Sequence, residues 1–201
     1  MIPKIIWQTH NYLYEDLPKS LEKCSKTWVN LNPGWEYRYT NHLERDSFIK
    51  SNYPELYNFY LKSNPITQAD VWRMCVMYSF GGVYADMDSV CSKPLDYMLS
   101  DYQDYELITE PRYNEKDVNI AYFASAPKSK ILAKVIKSMI RDKVKDPYWH
   151  VWLCFNKHVK DPEIAVFSGA IHSRDFKKNF VNYKIDYYGK KMSYMQYLKL
   201  L

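Results

Sequence analysis

Two carboxylates, Asp86 and Asp88, close the apolar run Val83-Tyr84-Ala85-Asp86-Met87-Asp88. Alternation along a strand puts Val83, Ala85 and Met87 on one face, and Tyr84, Asp86 and Asp88 on the other. Paired carboxylates are hard oxygen ligands suited to Mg²⁺ or Mn²⁺ shared with phosphate oxygens. A sugar leaving a nucleoside diphosphate creates that need, because negative charge develops on the diphosphate as the anomeric bond breaks. A bare D-x-D is a common tripeptide, and two other readings stand beside this one. It can be a solvated loop, or Asp86-Met87-Asp88-Ser89-Val90 can be the D-x-D-x-(T/V) of a phosphohydrolase whose first Asp is the nucleophile. The second chemistry calls for further acidic ligands downstream, and no such cluster follows Leu95.

Immediately upstream, residues 66–80 read as a helix that is apolar almost all round, interrupted by Thr67, Gln68, Asp70, Arg73 and Ser79, and stopped by Gly81-Gly82. Ionised side chains are rarely buried unless they are paired or bind something charged. Asp70 and Arg73, three apart on one face, are therefore either an internal salt bridge or contacts to a charged ligand.

The elements that must position these groups follow from turn signals and periodicity. Lys4 to Gln8 is a short buried strand, Pro18 to Val29 a helix, and Trp35 to Tyr39 a second strand after Asn32-Pro33-Gly34. Asn41 caps the next helix, and Pro54 opens another over residues 52–61. Tyr105 to Thr109 and Asn119 to Ala124 are later strands, and Ser129 to Arg141 is an amphipathic helix. Strands alternating with helices, with no internal repeat or linker, predict one layered α/β domain over residues 1–201, with ligands at the carboxyl ends of its strands.

Composition narrows the function classes. A chain of 201 residues, 47% hydrophobic and 25% charged, has the make-up of a soluble globular domain, and no stretch approaches the ~20 apolar residues of a membrane span. With no signal peptide and no Asn-x-Ser/Thr sequon, the expected location is cytoplasmic. Four well-separated cysteines, without C-x-x-C spacing, are read as reduced and buried. The net charge of +5, without a nucleic-acid motif, argues against a nucleic-acid partner. The 20 tyrosines fill core and could also stack on sugar rings or bases.

The ordered context Ala69-Asp70-Val71-Trp72-Arg73-Met74, then Gly81-Gly82-Val83-Tyr84-Ala85-Asp86-Met87-Asp88, resembles the DXD sugar-binding region of family 32 glycosyltransferases, which include yeast-type α-1,6-mannosyltransferases. Similar A-D-x-x-R and G-G-x-Y-x-D-x-D elements occur in the glucosyltransferase domains of clostridial toxins. Ile2-Pro3-Lys4-Ile5-Ile6, Trp28 with Asn32-Pro33 and Tyr37, and residues 121–132 extend the likeness over roughly the first two-thirds of the chain.

The resemblance implies a GT-A fold, a Rossmann-like mixed sheet flanked by helices, acting on a nucleotide-sugar with Mn²⁺ or Mg²⁺ and retention of configuration. Asp70, Arg73 and Asp86 would be the catalytic contacts to the donor sugar, while Trp7, Gln8, Thr9 and Tyr84 would lie beside the nucleotide. Asp86 and Asp88 would bind the metal, with His172 as third ligand ahead of His150 and His158. The family's H-Q-x-W reads here Trp7-Gln8-Thr9-His10, and its T-G-P is represented by Ser168-Gly169-Ala170. The implied partners are a UDP-glucose- or UDP-galactose-like donor, with GDP-mannose as an alternative, and a glycan or other hydroxyl acceptor. A non-catalytic nucleotide-sugar or glycan-binding module is the rival reading.

Overall fold

The computed structural model describes residues 1–91, 93–111, 118–142, 147–158, 164–166, 184–185 and 191–192. The chain opens with β1 (Ile5–Thr9), α1 (Lys19–Leu31), β2 (Glu36–Thr40), α2 (His42–Asn52), α3 (Pro54–Lys62), α4 (Pro65–Phe80) and β3 (Gly82–Ala85). It continues with α5 (Leu95–Met98), β4 (Leu107–Pro111), β5 (Val118–Ser125), α6 (Lys130–Arg141), α7 (Pro147–Asn156) and β6 (Ile164–Val166).

The strands form one mixed sheet in the order β2-β1-β3-β5-β4-β6. β1 is parallel to β2 and β3, β5 runs antiparallel to both β3 and β4, and β6 is parallel to β4. The carboxyl ends of β1, β2 and β3 therefore share one edge of the sheet, where ligands are expected in an open α/β fold.

Helices cover both faces. On one face, Trp7, Tyr84, Leu107 and Phe123 pack against Ile49, Leu56, Tyr60 and the buried residues of α4, α6 and α7. On the other, Ile6, Val83, Ala85, Ile108, Tyr122 and Ala124 meet Trp28 of α1 and Leu95 and Met98 of α5. The expected α/β layering is what the chain adopts.

Local chemistry sets the elements that carry the site. Asn64 caps α4 by accepting from Ile66 N and Thr67 N, and Pro65 follows in the first turn, where its missing N–H costs nothing. The helix ends at Gly81 (φ 66°), and Gly82 (φ 107°) starts β3. Both positions are also crowded: a Cβ on Gly81 would lie 2.7 Å from Ser125 O, and one on Gly82 would lie 2.5 Å from Ile5 O. Only glycine allows α4 to turn straight into a strand pressed against β1 and β5.

Three expectations need correction. β3 stops at Ala85, so strand alternation does not reach Asp88. The last rung is Asp86 N to Ala121 O, after which Ser89 N and Oγ both donate to Asp86 O and close a turn. β4 begins at Leu107, since Tyr105 N is drawn back to Tyr102 O in a preceding turn. Ser129 caps α6 through Leu132 N and stands outside the helix. All four cysteines are free and buried, as expected. Among the described residues no helix is long and apolar enough to cross a membrane.

Candidate functional site

The two charges within α4 meet the end of β3. Arg73 donates to Asp70 Oδ1 at 2.8 Å, to Asp86 Oδ1 at 3.2 Å and to Ile120 O at 2.6 Å. Its guanidinium carbon lies 4.4 Å from the centre of the Tyr84 ring, and Tyr84 OH donates to Asp86 Oδ1 at 3.0 Å. Asp70 and Arg73 are 6% and 5% exposed, so these interactions operate largely out of water. The Tyr84 hydroxyl is held well above its ordinary pKa, by burial first, and stays a hydrogen-bond donor. Asp70, Arg73, Tyr84 and Asp86 are thus one cluster of two carboxylates and one cation, and the salt bridge and the ligand-facing roles are not exclusive.

Asp88 belongs to the other layer. It is 4% exposed and close enough to Cys24 of α1 to help push that thiol up to about 11, burial being the larger cause. α1 grips the turn that carries it. Trp28 Nε1 donates to Ser89 O at 3.0 Å, Cys91 N donates to Thr27 Oγ1 at 2.9 Å, and Leu95 N donates to Asn32 Oδ1 at 2.6 Å. Trp28 is itself fully buried and stacked on Tyr122 at 6.0 Å.

The residues at the end of β1 serve the same rim. Gln8 is buried, gives its amide to Asp86 O at 3.1 Å and accepts from Tyr37 OH at 2.9 Å, so it fastens the Asp86 backbone to β2. Thr9 Oγ1 donates to Thr40 O and accepts from Arg45 at 2.7 Å. Arg45, 1% exposed, also donates to Asn11 Oδ1 at 2.5 Å, while its Nε has no acceptor among the described residues. Trp7 lies under the rim on the α4 face, 5% exposed, with its N–H on Gly81 O and Arg38 4.9 Å over its ring. It lines a groove of about 460 Å³ together with Trp72, Phe48, Phe80, Arg38 and Glu44.

His10, which carried no expected role, closes β1 beside Tyr12 at 4.9 Å between ring centres. Burial, and then the charge of Arg45, push His10 down to about 4, which keeps it neutral at pH 7.

Of the histidines proposed for the metal, His150 and His158 are placed by the structure, and both fall elsewhere. His172 and the segment Ser168-Gly169-Ala170 lie outside the described residues. His150 Nε2 is 3.1 Å from Met139 O and His158 Nε2 is 3.1 Å from Ser138 Oγ, so both serve the packing of α6 on α7. Among the described residues, no group of three or more His, Cys, Asp or Glu side chains converges on a metal geometry. Two hard carboxylates, Asp86 and Asp88, on one turn still suit a divalent ion that draws its remaining ligands from phosphate and water.

Sequence reasoning missed the grip of α1 on the turn, the buckle made by Gln8 and the buried Arg45. Trp28 and Asn32 carried a signal, because both belong to the stretch that resembled the family. Arg45 carried a weaker one: it lies four residues before the buried Ile49, on the same helical face.

Residues 18–106 match a family model described as "Glycosyltransferase sugar-binding region containing DXD motif". That stretch includes Asp70, Arg73, Asp86 and Asp88. Over this stretch the chain is similar to the DXD glycosyltransferases.

Proteins similar to this one fit that family. Mannosyl phosphorylinositol ceramide synthase of Saccharomyces cerevisiae is 32% identical over 152 residues, which is 75% of this chain and 37% of that protein. Inositol phosphoceramide mannosyltransferase 2 of Schizosaccharomyces pombe is 31% identical over 156 residues, 76% of this chain and 42% of that one. An initiation-specific alpha-1,6-mannosyltransferase of Candida albicans is 32% identical over 104 residues, 49% of this chain and 27% of that one. The chain therefore spans less than half the length of these relatives.

Among solved structures, the PaToxG glycosyltransferase superposes with a TM-score of 0.58 at 12% identity, covering 79% of this chain and 68% of that one. A glycosyltransferase involved in glycosylation of the PBCV-1 major capsid gives 0.51 at 12% identity, covering 82% and 80%. At such identities the likeness concerns the fold, which is GT-A.

Proposed function

We propose that the protein transfers a hexose from a nucleotide-sugar to a hydroxyl acceptor, with a divalent cation and retention of configuration. The observation that carries this reading is the convergence of Asp70, Arg73, Tyr84 and Asp86 at the carboxyl end of β3, with Asp88 in the turn that follows. Mannose is the first sugar to test, because the relatives are named as mannosyltransferases or mannosyl synthases. GDP-mannose and UDP-glucose are the informative pair of donors.

In this reading Asp86 and Asp88 hold Mn²⁺ or Mg²⁺, which when bound offsets the charge that develops on the leaving diphosphate. The protein groups orient the sugar. Asp70 offers an acceptor to sugar hydroxyls, while Arg73, fixed by three oxygen acceptors and the Tyr84 face, presents its guanidinium without reorganisation. Tyr84, protonated at neutral pH, holds Asp86 in one rotamer. The acceptor hydroxyl attacks from the face that the diphosphate leaves. Asp86 as a phosphohydrolase nucleophile has less support, since two donors occupy its Oδ1 and reduce its basicity.

The test is thermal denaturation with GDP-mannose and UDP-glucose, each with and without Mn²⁺. A donor is expected to raise Tm only with the metal present. No shift with any nucleotide-sugar under Mn²⁺ would overturn the reading. Asp88→Ala should abolish metal-dependent donor hydrolysis while leaving the fold intact. A metal-dependent shift without turnover of labelled donor would favour the binding module instead.

A further inference from the structure

The outward side of α6 has no part in the site described above. Ile131, Leu132, Val135, Ile136 and Met139 turn into the core, while Lys130, Lys134, Lys137 and Arg141 are exposed. Their spacing of four, three and four residues follows one helical face. Lys128, also exposed, stands just ahead of the helix.

Residues 118–141 contain five cations and no carboxylate, while the formal net charge of the whole chain is +5. The rest of the protein thus sums to zero, and the surplus lies on α6 and the turn just ahead of it. Among the described residues, Glu106 accepts from Ile131 N at the start of this helix, and Asp142 pairs with Arg141 and Lys157 at its end.

Large aliphatic side chains accompany the cations. Ile140 is 44% exposed beside Arg141, and Leu153 of α7 is 55% exposed one turn before Lys157. Single-stranded nucleic acid is usually met by cations together with stacking aromatics. Cations together with exposed aliphatics match a lipid headgroup layer, where the charges meet phosphates and the aliphatics reach the acyl boundary. Relatives named for inositol phosphoceramide point the same way, since that name describes a phosphate-bearing lipid.

We propose that the outward face of α6, with Leu153 of α7, docks the protein on an anionic phospholipid surface. This goes beyond the transferase reading and does not need the donor site. The experiment is co-sedimentation of the full chain with vesicles of phosphatidylcholine, alone or with part replaced by phosphatidylinositol, at low and physiological salt.

Binding is expected only to the phosphatidylinositol vesicles and should weaken with salt. Combined Lys130→Gln, Lys134→Gln and Lys137→Gln should weaken it on the order of a hundredfold. Leu153→Ser should weaken it several-fold with its salt dependence retained. Equal binding to both vesicle types, or unchanged binding by the triple variant, would overturn the proposal, as would tighter binding to a double-stranded RNA oligonucleotide. Should the triple variant unfold, Lys134→Gln alone gives the same reading at several-fold. Donor hydrolysis in solution reports the site and vesicle binding reports the face, so either idea can fail without the other.

Discussion

Asp86 and Asp88 are separated by one residue, yet they are held by different means. On the α4 side, Asp86 is held by charge, through Arg73 and the Tyr84 hydroxyl. On the α1 side, the turn of Asp88 and the residues after it are held by neutral hydrogen bonds: Trp28 donates to Ser89 O, Thr27 Oγ1 accepts from Cys91 N, and Asn32 Oδ1 accepts from Leu95 N. Breaking the first arrangement strands a charge in a place with little water. Breaking the second strands a carbonyl or an amide, which costs less. Two carboxylates one residue apart therefore have supports that fail in different ways.

The largest effect should come from the charged side. Arg73→Met removes the cation shared by Asp70 and Asp86 and should destabilise the fold by about 3–5 kcal/mol, measured by denaturant unfolding, with loss of donor turnover. Adding Asp70→Asn should recover part of that stability without restoring turnover. Equal stability of Arg73→Met and wild type would mean that the cluster is not held by charge.

On the neutral side, Trp28→Phe keeps an aromatic ring against Tyr122 but deprives Ser89 O of its donor. The expected cost is about 1–3 kcal/mol. Metal-dependent donor binding should weaken more than the drop in Tm explains, because the Asp88 turn loosens first. A variant with reduced stability and unaltered metal affinity would separate Trp28 from the site.

Gln8→Leu tests the link between the two sides, since Gln8 holds the carbonyl of Asp86 and accepts from Tyr37. A loss of about 1–2 kcal/mol is expected, with turnover reduced and donor preference unchanged. Stability loss without reduced turnover would show that the buckle is purely structural.

The smallest effect concerns pH at the rim. His10 sits at about 4 in the folded chain, below the unfolded value near 6.5. The unfolded chain therefore takes up the proton first, and stability is lost as pH falls from about 6.5 toward 4. His10 is partly exposed, which limits its share to about 1–2 kcal/mol. In His10→Gln the decline in Tm over that window should be shallower; an identical pH profile would show that the burial of His10 does not couple to folding.

Much of the scaffold could be read from local chemistry. Asn41 and Asn64 cap α2 and α4 because a short amide side chain satisfies the first free N–H groups of a helix. Gly81-Gly82 marked the passage from α4 to β3, where any Cβ would meet β1 or β5. The apolar surround of Asp70 and Arg73 marked both as charges in need of partners, and each finds the other. The assignment of Asp88 to the strand face of Tyr84 and Asp86 does not hold, because alternation holds only while the ladder continues, and its last rung is Asp86 N to Ala121 O.

The sequence by itself determined which residue types bear charge, which stretches are helices, and that the Asp pair follows a strand. Those properties depend on neighbours a few residues away. Only the tertiary structure decided that Arg73 reaches Asp86 as well as Asp70, that Gln8 clasps the Asp86 carbonyl, and that α1 steadies the turn of Asp88. These partners are far apart along the chain and meet only because the parallel pairing of β1 with β2 and β3 gathers three strand ends on one edge.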